Sequence, residues 1–503
     1  MHPDAFAMLK GLDTDILRIV QDIIKIKSKQ KQSSTIIIDD IKRLINPESK
    51  FTTEDSKNSN IDIDLDNSVL EKQHNHKVIL DASINVNTGE GVEGYTALFR
   101  SRYEKSLRIL SLRPESKRIT KITSIKQKTG SNSKNIKSDK LYDVRGNPIS
   151  NSTSVVSGLL MSKRGKKNGV EIVIDDFSGS LSALATTNEL KKQASMLTLD
   201  QMVMLEVGNI NNNKKAQGFV VKDIISPDIP DHLPTRSKIE SYVVLISDIH
   251  VGSKNFMEAE FIRFLNWLSS NDDELVRKIK FICIGGDIID GIGIFPNQDK
   301  ELLETDTSKQ VSHAIDLLSK IPKNLRVFII PGNHDPGRRA LPQPSLPKRD
   351  FNELYSLENF TMIGNPSMVE LDGVKILMYH GQSLDDIIAT TPGLDYSKPA
   401  EAMKILLKTR HLSPIYGQRT PIAPELEDMM VITEVPDIFH SGHVHVMGVQ
   451  NYRGTLIVNS GAWQSQTKFQ QTMGVVPTPG IAILVNLATL QPYQMSFNQP
   501  LLM

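Results

Sequence analysis

The chain has a single cysteine, Cys283, among its 503 residues. One thiol cannot form an internal disulfide, and it cannot build a zinc site from several thiolates. Nowhere do about 18 apolar residues follow one another, and the N-terminus carries acidic residues where a signal peptide would be basic. We therefore expect a cytoplasmic protein with no membrane segment. Cys283, in the run KFICIGGD, is expected to be a small apolar residue of a buried strand.

An excess of charge of one sign is also missing, because 59 basic residues face 58 acidic ones. The net charge of +1 excludes no class of partner, since a basic surface can form on a balanced chain. The length exceeds what one hydrophobic core organises, so we expect two or three domains.

Composition and periodicity divide the N-terminal part into three regions. Residues 1–48 show apolar residues at helical spacing and are predicted to form a small helical N-terminal module. Residues 49–93 are polar and poor in hydrophobic residues, which predicts a flexible linker. Residues 94–149 are predicted to contain a helix over 94–114 and then a basic flexible segment, which either follows a phosphate backbone or is merely solvated.

Residues 150–235 show the pattern of five short strands, with one helical stretch between the third and the fourth. That order matches an OB-fold barrel, an architecture that often binds single strands on stacked aromatic residues. Phe177 and Phe219 are the only Phe, Tyr or Trp residues in this region. The barrel is therefore expected to be either a DNA-binding module or a structural docking module.

In residues 236–503, apolar runs that end in polar residues alternate with helical patterns, which predicts a large α/β domain with its functional loops at one edge. Eight of the twelve histidines follow residue 241, and six of these eight lie in the loops after the apolar runs. The candidate site residues in those loops are Asp248, His250, Asp287, Asp290, Asn333, His334, Asp335, His380, His440, His443 and His445.

These candidates offer imidazole nitrogens, carboxylates and an amide oxygen but no thiolate. Such a set suits a borderline-hard divalent ion, in the first place Mn²⁺, with Zn²⁺ and Fe²⁺ as alternatives. There are more strong donors than one ion needs, and they suit two ions about 3.5–4 Å apart that share a carboxylate. A pair of this kind holds both the attacking and the leaving oxygen of a phosphoryl displacement.

Five motifs follow one another in the order D-x-H, G-D-x-x-D, G-N-H-D, a lone histidine after a strand, and G-H-x-H. In this order they resemble the calcineurin-like metallophosphoesterase superfamily, from residue 241 to about residue 465. The resemblance implies a domain of two packed β-sheets flanked by helices. It also implies a first metal bound by Asp248, His250 and His445, a second metal bound by Asn333, His380 and His443, and Asp287 as the bridge between them.

The same resemblance implies that His334 is not a ligand but faces the scissile phosphate, where it protonates or stabilises the leaving oxygen, and that Asp290 orients that imidazole. The segment GDIIDGIGIFP lacks the Arg-Gly that follows this motif in protein phosphatases, which disfavours that substrate class. His440 either supports a ligand from outside or packs in the core. Arg338 and Arg339 either hold substrate phosphates or are solvated.

The order of helical module, barrel and phosphoesterase domain is similar to that of the small subunits of archaeal family D DNA polymerase. Four segments carry the likeness over most of residues 94–503, namely DGIGIFPNQ, LLKTRHLSPIYGQRTPIAPE, PDIFHSGHVH and GAWQSQTKFQ. The resemblance implies a proofreading 3′-5′ exonuclease that uses two divalent ions, Mn²⁺ or else Zn²⁺, Fe²⁺ or Mg²⁺. The segment 411–425 has no ligand role and is expected to be either a subunit interface or a cover over the site.

This likeness also implies partners. They are a large catalytic polymerase subunit, primer-template or single-stranded DNA as substrate, and a sliding clamp reached through the holoenzyme. Two other interpretations stay open at this point. One is a catalytically silent scaffold subunit, and the other is a free-standing metal-dependent phosphoesterase or repair nuclease.

Overall fold

A computed structural model describes residues 75–130, 153–212, 216–270 and 272–498. The predicted N-terminal module at 1–48, the first part of the predicted linker and the basic stretch from residue 131 lie outside the described residues. Within the described residues, no helix is both long and apolar enough to cross a membrane.

The described chain begins with strand β1 (His76–Asp81) and helix α1 (Gly91–Leu110). Strand β1 pairs antiparallel with residues 367–371 and so joins a sheet of the C-terminal domain. The prediction of a linker over 49–93 is therefore wrong for residues 76–81 and from residue 91. A six-residue strand whose partner lies far along the chain leaves no local signal in a polar region.

The expected flexible basic segment is also wrong in its first part. A 3₁₀ turn (Pro114–Arg118) is followed by helix α2 (Ile122–Gly130). The side chains of Ile122 and Ile125 are buried in the core of the neighbouring barrel. Two apolar residues at a spacing of three are enough to hold this short helix against a core, although its surroundings are basic.

Residues 154–225 form a closed five-stranded barrel with the strand order β2-β3-β4-β6-β5. Its elements, in chain order, are β2 (Ser154–Lys166), β3 (Gly169–Asp175), β4 (Ser180–Ala185), α3 (Asn188–Met196), β5 (Met202–Asn212) and β6 (Ala216–Ile225). The five strands and the helix after the third strand lie where the sequence predicts them. The assignment to the OB fold stays a prediction.

The C-terminal domain is built from two six-stranded sheets. Its strands are β7 (Tyr242–Ile246), β8 (Ile279–Ile284), β9 (Arg326–Ile329), β10 (Phe360–Met362), β11 (Ser367–Leu371), β12 (Val374–Met378), β13 (Ile438–Ser441), β14 (Met447–Tyr452), β15 (Thr455–Ser460), β16 (Ile481–Asn486) and β17 (Pro492–Ser496). The strand order is β1-β11-β12-β13-β15-β14 in one sheet and β10-β9-β8-β7-β16-β17 in the other.

Helices cover the outer faces of both sheets. They are α4 (Glu258–Leu268), α5 (Glu274–Lys278), α6 (Thr307–Leu318), α7 (Asn352–Ser356), α8 (Leu384–Thr390), α9 (Pro399–Thr409) and α10 (Lys468–Met473). The two sheets pack face to face through buried side chains such as Leu245 and Phe328 from one sheet and Ile376 and Val458 from the other. The predicted mixed α/β domain of two packed sheets flanked by helices is thus confirmed, and Cys283 is buried between the sheets as expected.

Parallel pairing determines where the functional loops lie. Strands β7, β8 and β9 run parallel in one sheet, and β12, β13 and β15 run parallel in the other. Because the carboxyl ends of parallel strands meet at one edge, the polar residues that follow these strands are brought together.

Candidate metal centre

Five strand ends supply the seven predicted metal ligands. Asp248 and His250 follow β7, Asp287 follows β8 and Asn333 follows β9 in one sheet. In the other sheet, His380 follows β12, and the turn after β13 supplies His443 and His445. The structure brings all seven together, and each of them is buried or nearly so.

The first group of donor atoms comes from Asp248, His250 and His445, whose ligand atoms all lie within 4.8 Å of one another. The Nε2 atoms of His250 and His445 are 3.0 Å apart. Asp248 Oδ1 lies 3.4 Å from His445 Nε2 and 3.9 Å from His250 Nε2. Three ligand atoms thus converge on one point, as the predicted first metal requires.

The second group comes from Asn333, His380 and His443. Asn333 Oδ1 lies 3.0 Å from His380 Nε2 and 2.9 Å from His443 Nδ1. His380 is oriented by its other ring nitrogen, which donates to the Gly285 carbonyl at 2.8 Å. A histidine ligand whose second nitrogen is held in this way presents a fixed tautomer to a metal.

Asp287 lies between the two groups. Its Oδ2 atom is 3.2 Å from His380 Nε2 and 3.8 Å from His250 Nε2, and its Oδ1 accepts the backbone N–H of His334 at 2.8 Å. A carboxylate that reaches one histidine of each group is in the position that a bridging ligand needs.

Backbone strain concentrates in these loops. Asp248, His250, Asp287, His443 and His445 all have φ between 52° and 70°, the left-handed region that residues other than glycine rarely adopt. Each such residue costs roughly 1–3 kcal/mol, and it persists only where the surrounding structure enforces it. Five of the seven predicted ligands share this feature, which marks the cluster as a functional site.

Carboxylate charge controls the electrostatics of the cluster. Burial alone would lower the pKa of His250, but Asp248 and Asp290 raise it to about 10. For His380 burial also lowers the pKa, and Asp287 raises it to about 9. Burial favours protonation of Asp248 and Asp287, yet the imidazoles hold the pKa of both carboxyls below its usual range. The site therefore stabilises positive charge at both groups.

The donor set fits divalent ions. The ligand atoms are imidazole nitrogens, carboxylate oxygens and one amide oxygen, which suit Mn²⁺, Zn²⁺ or Fe²⁺. They form two separate groups joined by one carboxylate, and they lie in an environment that favours cations. The described residues therefore fit a pair of divalent ions, and they leave the identity of the metal open.

Asp290 and His334 differ from expectation in one respect. We expected the Asp290 carboxylate to orient His334, but that carboxylate contacts His250 Nδ1 at 2.8 Å. It is the backbone carbonyl of Asp290 that accepts from His334 Nδ1, at 2.7 Å. The reason is that Gln298 and Gln464 also bind the carboxylate, at 3.1 and 2.9 Å, and hold it on the side of His250.

Other sequence expectations are also resolved by contacts. His440 is fully buried and its Nε2 contacts Ser460 Oγ at 3.1 Å, so it packs beneath the site. Arg338 does not face the site as a phosphate ligand, because its guanidinium pairs with the buried Glu425 at 2.6 Å. Arg339 is exposed, as the solvated alternative predicts.

Several residues at the site escaped sequence reasoning. A cavity of about 140 Å³ opens beside the donor atoms. Its wall includes Asp385, whose Oδ2 lies 3.2 Å from His443 Nε2, and the exposed Arg419 from the segment 411–425. Its rim includes Phe295 and Phe469. Amides, isolated carboxylates and single aromatic residues carry no motif, so their proximity to the site emerges only from the fold.

Comparison with known proteins narrows the family. The family of B subunits of DNA polymerases alpha and epsilon matches residues 243–445. The DNA polymerase II small subunit of Methanothermobacter thermautotrophicus is 35% identical over 436 residues, which are 85% of this chain and 84% of the relative. The chain belongs to the family of archaeal DNA polymerase II small subunits. The corresponding protein of Archaeoglobus fulgidus is 37% identical over 83% of this chain and 78% of its own length.

Coverage differs among the members of this family. The Pyrococcus furiosus small subunit is 36% identical over 79% of this chain, but the match spans only 62% of that relative. Among solved structures, an archaeal phosphodiesterase aligns with 50% of this chain at 12% identity and a TM-score of 0.26. Zinc-bound Vps29 of Entamoeba histolytica aligns with 51% at 14% identity and a TM-score of 0.24. The family assignment rests on the sequence relatives, and it agrees with the resemblance to polymerase small subunits.

Proposed function

We propose that this chain is the proofreading 3′-5′ exonuclease subunit of a heteromeric archaeal replicative DNA polymerase. The observation that carries the proposal is the convergence of seven metal-ligand side chains in one cavity, in a member of a polymerase small-subunit family. A silent scaffold would be expected to have lost some of these donors. A free-standing phosphatase would not be expected to carry the five-stranded barrel.

Asp248, His250 and His445 would hold one divalent ion, and Asn333, His380 and His443 would hold the other, with Asp287 shared. Mn²⁺ is the proposed metal, with Zn²⁺, Fe²⁺ or Mg²⁺ as alternatives. Two such ions supply water activation near neutral pH and stabilise the charge on the attacking and the leaving oxygen.

The reaction is hydrolysis of the terminal phosphodiester. Water adds to phosphorus, the bond to the 3′ oxygen of the penultimate nucleotide breaks, and a nucleoside 5′-monophosphate leaves. His334 lines the cavity, and its Nδ1 is already bound to the Asp290 carbonyl. Nε2 is therefore the nitrogen left to donate a proton to the departing 3′ oxygen. Asp290 acts by fixing the His250 ring, and it does not touch the substrate.

The partners follow from the family. A small subunit implies a large subunit that carries the polymerase site, and we propose that primer-template or single-stranded DNA is the shared substrate. A sliding clamp would be reached through the assembled holoenzyme. In that assembly the small subunit removes the terminal nucleotide after a mismatch has freed the 3′ end from its template.

The purified chain should be assayed with Mn²⁺ on single-stranded DNA, on a primer with a mismatched 3′ end, and on a small phosphomonoester. With a 5′ label, we expect a ladder of products shortened from the 3′ end, together with released mononucleotides. Asn333→Ala should abolish the reaction. Asn324→Ala, at an exposed position before the same strand β9, should retain it.

Each alternative has its own outcome. Absence of hydrolysis on all three substrates, with metal demonstrably bound, would support the scaffold. Preference for the phosphomonoester, or shortening from the 5′ end, would support a different phosphoesterase. Either result would refute the proposed exonuclease.

A further inference from the structure

Two phenylalanine rings stack on each other at the rim of the cavity beside the metal centre. The ring centroids of Phe295 and Phe469 are 4.9 Å apart with an interplanar angle of 22°. Phe295 is half-buried and its centroid is 6.4 Å from that of His334, the residue proposed to face the leaving oxygen. Phe469 is 43% exposed. An aromatic face is thus open to solvent one ring away from the reacting groups.

Both rings are fastened to the site by side-chain amides. The loop that carries Phe295 is held by Gln298, which accepts from the Ile294 N–H at 2.9 Å and donates to the Asp290 carbonyl at 2.8 Å. Phe469 lies in the first turn of α10, next to Gln470, whose Nε2 contacts His445 Nδ1 at 2.8 Å. The two rings therefore hold a fixed position relative to the predicted metal ligands.

The size of the cavity determines which part of a nucleotide reaches these rings. Its volume of about 140 Å³ is below the roughly 300–1,000 Å³ of pockets that enclose a drug-sized ligand. A phosphate group fits beside the donor atoms, but a whole nucleotide does not. The sugar and base of a bound 3′ end must lie at the rim, where Met473 and Val475 extend the apolar surface of Phe469.

We propose that Phe469, backed by Phe295, is a stacking subsite for a nucleobase at the 3′ end of the substrate strand. The proposal rests on the proposed exonuclease function and names the feature of the substrate that the site recognises. Stacking requires a base that is free of its template. The subsite would therefore favour a frayed or single-stranded end over a paired one, and it would accept any of the four bases because each has a π-face.

The competing explanation is that the two rings only pack together to hold their loops. That role needs apolar contact but not aromaticity. Phe469→Leu keeps apolar bulk and removes the π-face, and Phe469→Trp keeps a larger π-face. Tyr493→Leu is a matched control, because Tyr493 is 45% exposed and packs on Tyr242, which begins β7 at the end opposite Asp248.

The test compares kcat/KM for two oligonucleotides that differ only at the 3′-terminal residue, which carries a base in one and is abasic in the other. The unmodified chain is expected to prefer the base-bearing end by at least about fivefold, the lower limit for stacking on one aromatic residue. Phe469→Leu should bring the ratio close to one, whereas Phe469→Trp and Tyr493→Leu should keep it. A ratio that survives in Phe469→Leu would overturn the subsite.

A second readout needs no catalysis. An oligonucleotide with 2-aminopurine at its 3′ end, mixed with the full chain in EDTA, should lose fluorescence when the base stacks, and Phe469→Leu should restore it. Quenching by a chain that releases no nucleotide with Mn²⁺ would refute the exonuclease and keep the subsite. Nucleotide release with equal quenching by the unmodified chain and Phe469→Leu would refute the subsite and keep the exonuclease.

Discussion

The Nε2 atoms of His250 and His445 lie 3.0 Å apart, although 195 residues separate the two histidines in the chain. Each imidazole has its other nitrogen occupied, His250 Nδ1 by the Asp290 carboxylate and His445 Nδ1 by the Gln470 amide. The two Nε2 atoms are therefore the ones left to share a ligand. Their convergence beside Asp248 is the relationship from which the proposed two-metal site follows.

The first prediction concerns metal stoichiometry. Asp287→Asn is expected to weaken binding at both positions, because Asp287 reaches a histidine of each group. His445→Ala should weaken binding at one position only. Counting bound Mn²⁺ per chain by elemental analysis after dialysis should give about two, one and less than one ion for the unmodified chain, His445→Ala and Asp287→Asn.

The matched control for this count is Asp316→Asn, an exposed carboxylate on α6. It should bind as much metal as the unmodified chain. Equal losses in Asp287→Asn and His445→Ala would contradict the bridging role. Unchanged stoichiometry in both variants would remove the metal site altogether.

The second prediction concerns Arg419, an exposed cation on the cavity wall. Arg419→Ala is expected to raise KM for DNA severalfold and to leave kcat nearly unchanged, because the guanidinium would bind a phosphate away from the bond that breaks. The slope of log KM against log salt should become shallower by about one unit. Arg339→Ala removes an exposed arginine that does not line the cavity, and it should change neither quantity.

The seven ligand positions could be predicted because each follows an apolar strand directly, and parallel strands collect their carboxyl ends at one edge. The strands and the helix of the barrel were predictable for the same reason, since periodicity is local. Both predictions needed only short stretches of sequence and the rule that connects them in space.

What could not be predicted depends on contacts between distant residues. The pairing of β1 with β11 depends on an edge strand almost three hundred residues away. Arg338 is used by Glu425, and the Asp290 carboxylate is shared by His250, Gln298 and Gln464, because side-chain direction is set by neighbours from several loops. Sequence patterns identify residue types at strand ends, but they do not state which partner each side chain selects.

The third prediction concerns stability. Arg102 of α1 is buried, its Nε donates to Asp428 at 2.8 Å, and its Nη1 donates to the carbonyls of Pro414 and Asp200. Asp428→Ala leaves this guanidinium buried without its carboxylate, which is expected to cost about 3–5 kcal/mol of unfolding free energy. Because Asp200 precedes β5, the loss should loosen the barrel against the C-terminal domain.

Urea unfolding of the full chain measures this cost, and the neighbouring ion pair provides the control. Glu427 binds Lys105 at 2.6 Å but is 60% exposed. Glu427→Ala should therefore cost no more than about 1 kcal/mol. Equal costs for the two substitutions would show that burial of Arg102 and Asp428 contributes nothing beyond a surface pair.

The fourth prediction concerns pH. Burial, assisted by the charge of Arg102, lowers the pKa of His411 from 6.5 to about 4, against the opposing effect of Asp428. Its Nδ1 accepts the Ser413 N–H, so the neutral ring donates from Nε2 to Asp428. Between pH 6.5 and about 4 the unfolded chain therefore binds a proton at this position that the folded chain does not.

The sign of the effect follows from that difference in bound protons. The free energy of unfolding should fall as pH decreases through this window, by at most about 3 kcal/mol from this histidine. His411→Asn removes the titrating group and should make the slope shallower between pH 6.5 and about 4. Above pH 6.5 the unmodified chain and the variant should differ by a constant amount, which serves as the internal control. Parallel curves through the whole window would mean that His411 takes up its proton equally in both states, and that burial beside Arg102 does not keep it neutral.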